Sequence, residues 1–180
     1  APVQILWINL VTDTFPAIAL GVEPGDKGLM DQAPRGLKSN FLSNGVGFNI
    51  IYQGLLEGLL TLGVYLYAIC WPVHQDPTLI HQDALTMAYI TLGFLQLVHA
   101  FNCKSLTASV FSKQIFANKF FNWAILTSAL LLAATIFIPQ FNALFHVSSL
   151  NLRQWGVVLL AGALLVIIVE LVKAYQRTKK

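Results

Sequence analysis

Five hydrophobic runs of membrane-spanning length constrain this chain more than any other feature. They fall at about 3–22, 45–71, 84–102, 120–138 and 152–175. A helix rising about 1.5 Å per residue needs about 20 apolar residues to cross a hydrocarbon core roughly 30 Å thick. Inside that core each spanning segment must satisfy its own backbone polar groups, so isolated runs of this kind fold as helices. Pro24, Gly25, Gly28, Pro34 and Gly36 punctuate the first connection, Trp71-Pro72 and Asp76-Pro77 the second, and Ile138-Pro139 stops the fourth run. The run 45–71 is longer than a bilayer needs, which implies tilt or a protruding end. The expected fold is an all-α membrane protein, a bundle of five transmembrane helices.

Composition agrees. The chain is 56% hydrophobic and 11% charged, with a mean hydropathy of +0.66, whereas a soluble domain carries about 25% charged residues. The net charge of +3 comes without a basic stripe interleaved with aromatics, so no nucleic-acid partner is expected and the lipid bilayer is. Of the eleven Lys and Arg residues, ten fall on one side of a five-helix topology: Lys27, Arg35, Lys38, Lys104, Lys113, Lys119, Lys173, Arg177, Lys179 and Lys180. Arg153 alone falls on the other. The positive-inside rule then puts the C-terminus and the connection 23–40 in the cytoplasm. Cys70 and Cys103 lie at opposite ends of a helical hairpin and show neither a disulfide framework nor a zinc spacing. The chain starts directly in a membrane-length segment, with no basic leader region and no Met, and we expect a piece of a longer protein.

Polar groups inside the apolar runs carry the functional signal. Asp13 lies ten residues into the first run, near mid-membrane, where an ionised side chain costs at least about 2.5–3.5 kcal/mol. Asn9, Thr12 and Asp13 are spaced i, i+3, i+4 and so share one face of a regular helix. Pro16 has no N–H and in an α-helix would leave the Thr12 carbonyl unbonded. A carboxylate, an amide oxygen, a hydroxyl and a free carbonyl are hard oxygen donors of the kind Ca²⁺ takes. Gln96, at similar depth in the third run, offers another amide oxygen; an interhelical hydrogen bond explains it as well. His99, one turn on, reads as a packing histidine. Glu57 is a second intramembrane carboxylate, either a protonatable gate or a protonated residue facing protein, and the flanking Gly54 and Gly58 form a G-x-x-x-G element. Glu170 reads as an interfacial partner of Lys173. No phosphate-binding loop, nucleophile elbow or His/Cys/carboxylate constellation is present.

The string Pro2-Val3-Gln4-Ile5-Leu6-Trp7-Ile8-Asn9-Leu10-Val11-Thr12-Asp13, with Pro16-Ala17 and Ala19-Leu20-Gly21 after it, resembles the sixth transmembrane helix of P-type Ca²⁺-transporting ATPases. Glu23-Pro24, Asp26, Met30-Asp31 and Ala33-Pro34-Arg35 are similar to the cytoplasmic loop that follows it. The resemblance is specific over residues 2–35 and diffuse beyond. It implies helices six to ten of a ten-helix transport domain, with Asn9, Thr12 and Asp13 as ligands of the transported Ca²⁺. It implies that Gln96 stands where two-site pumps carry a Glu. That departure resembles the plasma-membrane type with one Ca²⁺ per cycle, and points to a plasma (inner) membrane over an internal one. Asp26, Asp31 and Arg35 become candidates for coupling to the phosphorylation domain. ATP and Mg²⁺ would act only in domains outside this chain, which together with the N-terminal helices would be its partners. Two alternatives stand beside this reading: a Mn²⁺/Ca²⁺ pump segment, since oxygen ligands suit both ions, and a non-enzymatic helix bundle or accessory subunit.

Overall fold

The structure, a computed structural model, describes residues 2–23, 46–104 and 116–178. The coupling candidates Asp26, Asp31 and Arg35 lie outside the described residues. The elements are α1 (Pro2–Ile8), a π-helical turn (Asn9–Asp13), α2 (Thr14–Gly21), α3 (Val46–Cys70), α4 (Pro77–Cys103), α5 (Lys119–Phe137), α6 (Pro139–Phe145) and α7 (Leu152–Thr178). α1, the π turn and α2 together make one continuous span, Pro2–Gly21, so five helices among the described residues are long and apolar enough to cross a membrane. The all-α bundle expected from hydropathy is the fold found, and the chain is a multi-pass membrane protein.

α4 is the axis of the bundle and its most buried span. It packs against α3, α5, α7 and the whole first span. Small residues set how closely its neighbours approach. A β-carbon on Gly162 of α7 would come within 2.3 Å of Phe94, and one on Gly93 of α4 within 2.8 Å of Leu132 of α5. Such close contacts matter in lipid, where helices gain packing and little hydrophobic driving force from association. The outward faces stay apolar: Ile51, Leu55, Leu59 and Leu62 of α3 are all exposed, as a lipid-facing surface requires.

Polar contacts hold the ends. α4 starts at Pro77, seven residues before its apolar run, because Asp76 caps it: its carboxylate accepts from the Thr78 N–H at 2.8 Å and the Thr78 hydroxyl at 2.7 Å. The same bonds hold the Asp76 carboxyl below its usual range. The extra turns carry Asp83, which is buried and bonded to His74 at 3.0 Å and to Gln154 of α7 at 3.2 Å. At the opposite end Glu23 closes α2 onto the bundle. It lies 3.0 Å from Lys104 Nζ and accepts from Asn118 at 2.5 Å. After α5, Pro139 opens the short helix α6 rather than a coil; α6 ends at His146, in the left-handed region with φ 50°.

Candidate cation site

The first span is not a regular helix where its polar residues lie. Asn9–Asp13 forms a π turn, in which carbonyls bond five residues on instead of four. In that register Pro16 is the residue whose missing N–H would have served Val11. The Val11 carbonyl is satisfied from outside: Ser128 Oγ of α5 donates to it at 2.7 Å, and both residues are buried. The carbonyl that the structure shows to be compensated is therefore Val11, one residue before the Thr12 carbonyl that an α-helical register singles out. A π turn holds its extra residue at a local cost, and such turns recur at functional sites.

Thr12 is 2% exposed. Its hydroxyl lies 2.8 Å from the Ile8 carbonyl and 2.6 Å from Oε1 of Gln96 on α4. One hydroxyl proton serves one of these acceptors at a time, so the spot concentrates oxygen lone pairs. A cleft of about 310 Å³ opens beside it, lined by Thr12, Asp13, Glu57, Gln96, His99 and Cys103 among others. Three of the four expected ligands, Thr12, Asp13 and Gln96, thus meet on one cleft. Asn9 does not: it is exposed, lies outside the cleft lining, and its carbonyl accepts from the Thr14 hydroxyl at 3.1 Å. The π turn breaks the i, i+4 relation that put Asn9 on the face of Asp13.

Glu57, which sequence patterning left undecided, and His99, which it read as a packing residue, also line this cleft. Glu57 of α3 lies with Oε1 3.3 Å from Nδ1 of His99, and His99 Nε2 is 3.2 Å from Cys103 Sγ. Their depths were readable from the runs; their meeting, 42 positions apart in the chain, depends on how α3 packs on α4. Gln96, Asp13 and Thr12 supply a carboxylate, an amide and a hydroxyl, a hard oxygen set that fits part of the six- to eight-oxygen shell of Ca²⁺. The rest of such a shell has to come from elsewhere.

The family described as cation transporting ATPase, C-terminus, matches residues 1–175. Calcium-transporting ATPase 1 of Bacillus cereus is 40% identical over 182 residues, covering 96% of this chain and 20% of the relative. The calcium-transporting ATPase of Bacillus subtilis is 35% identical over 173 residues, 91% of this chain and 19% of the relative. Human calcium-transporting ATPase type 2C member 1 is 29% identical over 177 residues, 98% of this chain and 19% of the relative. The chain spans about a fifth of the length of these relatives. A match over nearly every residue, on a bundle of five spans with polar groups at mid-depth, leads to one conclusion: the chain belongs to the family of cation-transporting ATPase C-terminal regions.

Proposed function

We propose that this chain is the helix-six-to-ten part of an ATP-driven Ca²⁺-transporting P-type ATPase, and that Thr12, Asp13 and Gln96 are its contribution to the transported ion's shell. The observation that carries the reading is the 2.6 Å approach of Thr12 to Gln96 beside the Asp13 carboxylate, on an open cleft inside a membrane bundle. The remaining oxygens would come from helices outside this chain, and ATP and Mg²⁺ would act on domains outside it. Asp26, Asp31 and Arg35 would couple the bundle to those domains from the cytoplasmic side, where positive-inside counting also places the C-terminus. Gln96 in place of a carboxylate supports one Ca²⁺ per cycle and a plasma (inner) membrane setting. In this reading Asn9 opens the π turn and takes no part in the shell. Ion movement follows from changing the register or tilt of the first span, which alters the distance from Asp13 to Gln96 across the cleft.

A second reading, Mn²⁺ transport, draws on His99, whose imidazole lines the same cleft; a nitrogen donor favours a first-row metal over Ca²⁺.

The test is phosphoenzyme formation from labelled ATP in membranes holding the full-length protein, with and without Ca²⁺, beside Asp13→Asn. Ca²⁺-dependent phosphoenzyme that disappears in the variant is expected. Equal Ca²⁺ activation in both proteins would remove Asp13 from the site. Activation by Mn²⁺ with none by Ca²⁺ would select the second reading.

A further inference from the structure

We infer that Glu57 of α3 is the second carboxylate of the cation cleft, with His99 as the residue that positions it. This rests on the cleft being the ion site. A divalent cation in a medium of low dielectric needs nearly two compensating charges, since an uncompensated ion there is costly to desolvate. Asp13 supplies one. Among the described residues lining the cleft, Glu57 is the one other carboxylate. With it, α3 joins the first span and α4 in facing the ion, and the cleft carries two negative charges with the hydroxyl of Thr12 and the amide oxygen of Gln96 between helices.

The local structure around Glu57 suits a carboxylate that moves. Gly54 and Gly58 flank it on α3, and a β-carbon at either would meet nothing within 4 Å. The Glu57 side chain is 13% exposed, so it is not in free solvent. The partner is close but poorly aligned: Oε1 lies 3.3 Å from His99 Nδ1, yet Nδ1 makes no hydrogen bond of good geometry. On the other edge of the ring, Cys103 Sγ sits 3.2 Å from Nε2. With the Cys103 thiol as donor to Nε2, the hydrogen of a neutral imidazole lies on Nδ1, the ring nitrogen nearer Glu57. His99 thus holds the carboxylate at the cleft without locking it. When a cation enters, Glu57 exchanges the weak imidazole contact for direct coordination. His99 is a positioning residue and takes no place in the oxygen shell.

The experiment measures the Ca²⁺ concentration for half-maximal phosphoenzyme formation in membranes holding the full-length protein. Phosphorylation from inorganic phosphate without Ca²⁺ checks folding of each variant. Glu57→Gln is expected to raise the half-maximal Ca²⁺ concentration tenfold or more, and Glu57→Asp by less. His99→Leu is expected to raise it a few-fold and to add nothing on top of Glu57→Gln. A Glu57→Gln value within twofold of the parent, in a protein where Asp13→Asn has lost Ca²⁺ activation, overturns this inference alone. Retained Ca²⁺ activation in Asp13→Asn overturns the cleft as the ion site, and this inference with it. Additive effects of Glu57→Gln and His99→Leu overturn the role of His99.

Discussion

Thr12 Oγ1 and Gln96 Oε1 lie 2.6 Å apart across 84 positions of sequence, and this contact ties the broken part of the first span to the central helix of the bundle. The pair fixes where the Asp13 carboxylate stands relative to α4, and so defines the mouth of the cleft.

Replacing Thr12 with Val keeps the shape and removes the hydroxyl. Intramembrane hydrogen bonds of this sort are worth about 0.6–2 kcal/mol, and Thr12→Val and Gln96→Leu are expected to be strongly non-additive. Thermal unfolding of both single variants and the double variant in detergent micelles measures the coupling. Additive losses would show that the contact contributes nothing of its own.

Gln96→Glu places a carboxylate next to the Thr12 hydroxyl and close to Asp13. In the full-length protein it is expected to strengthen divalent-ion binding or add a second ion. Equilibrium binding of radiolabelled Ca²⁺ reads both affinity and stoichiometry. One ion bound with unaltered affinity would count against Gln96 as a ligand.

Ser128→Ala deletes the donor that serves the Val11 carbonyl at 2.7 Å. A buried acceptor left unpaired costs about 1–3 kcal/mol, so a clear drop in unfolding temperature is expected. Pro16→Ala returns an N–H to the same stretch, and in that background Ser128→Ala should cost less. An equal loss in both backgrounds would separate the serine from the proline.

Gly162→Ala drives a methyl group to within 2.3 Å of Phe94. Overpacking of this kind costs about 1–3 kcal/mol. Gly58→Ala meets nothing and should leave the unfolding of this bundle unchanged or slightly improved. The comparison by thermal unfolding in detergent fails if the two variants behave alike.

Lys104 is 4% exposed at its side chain, sits 3.0 Å from Glu23 and stacks 4.8 Å above the Phe121 ring. Lys104→Met keeps the stem and removes the charge, leaving Asn118 as the side-chain partner of Glu23 among the described residues. Faster proteolysis near the end of α2 is expected, read by limited digestion and mass spectrometry. An unchanged digestion pattern would reduce the pair to a surface contact.

The five spans were legible because hydropathy alone distinguishes a lipid-facing run from a connection, and because Pro and Gly punctuate the breaks. The start of α4 was not, since Thr78, His81, Gln82 and Asp83 look like loop residues until Asp76 caps them and Gln154 of α7 takes up Asp83. The π turn was half legible. Pro16 announces a lost backbone bond, but which carbonyl is left over depends on Ser128, more than a hundred residues away. Depth in the membrane marked Thr12, Asp13, Gln96 and Glu57 one at a time. Their meeting on one cleft, and the exclusion of Asn9 from it, are properties of packing and register that no single run contains.

The one-residue excess in the first span acts as a phase shifter. Each residue of an α-helix turns the chain by about 100°, so the same span without its π turn would swing α2 by about that angle relative to α1. Gln4 and Ile8 would keep their buried places, while Ala19 would rotate off the contact with Ala100 and Phe121. The span therefore reads as two rotors on a common axle, aligned with different neighbours, and Asp13 sits at the coupling between them.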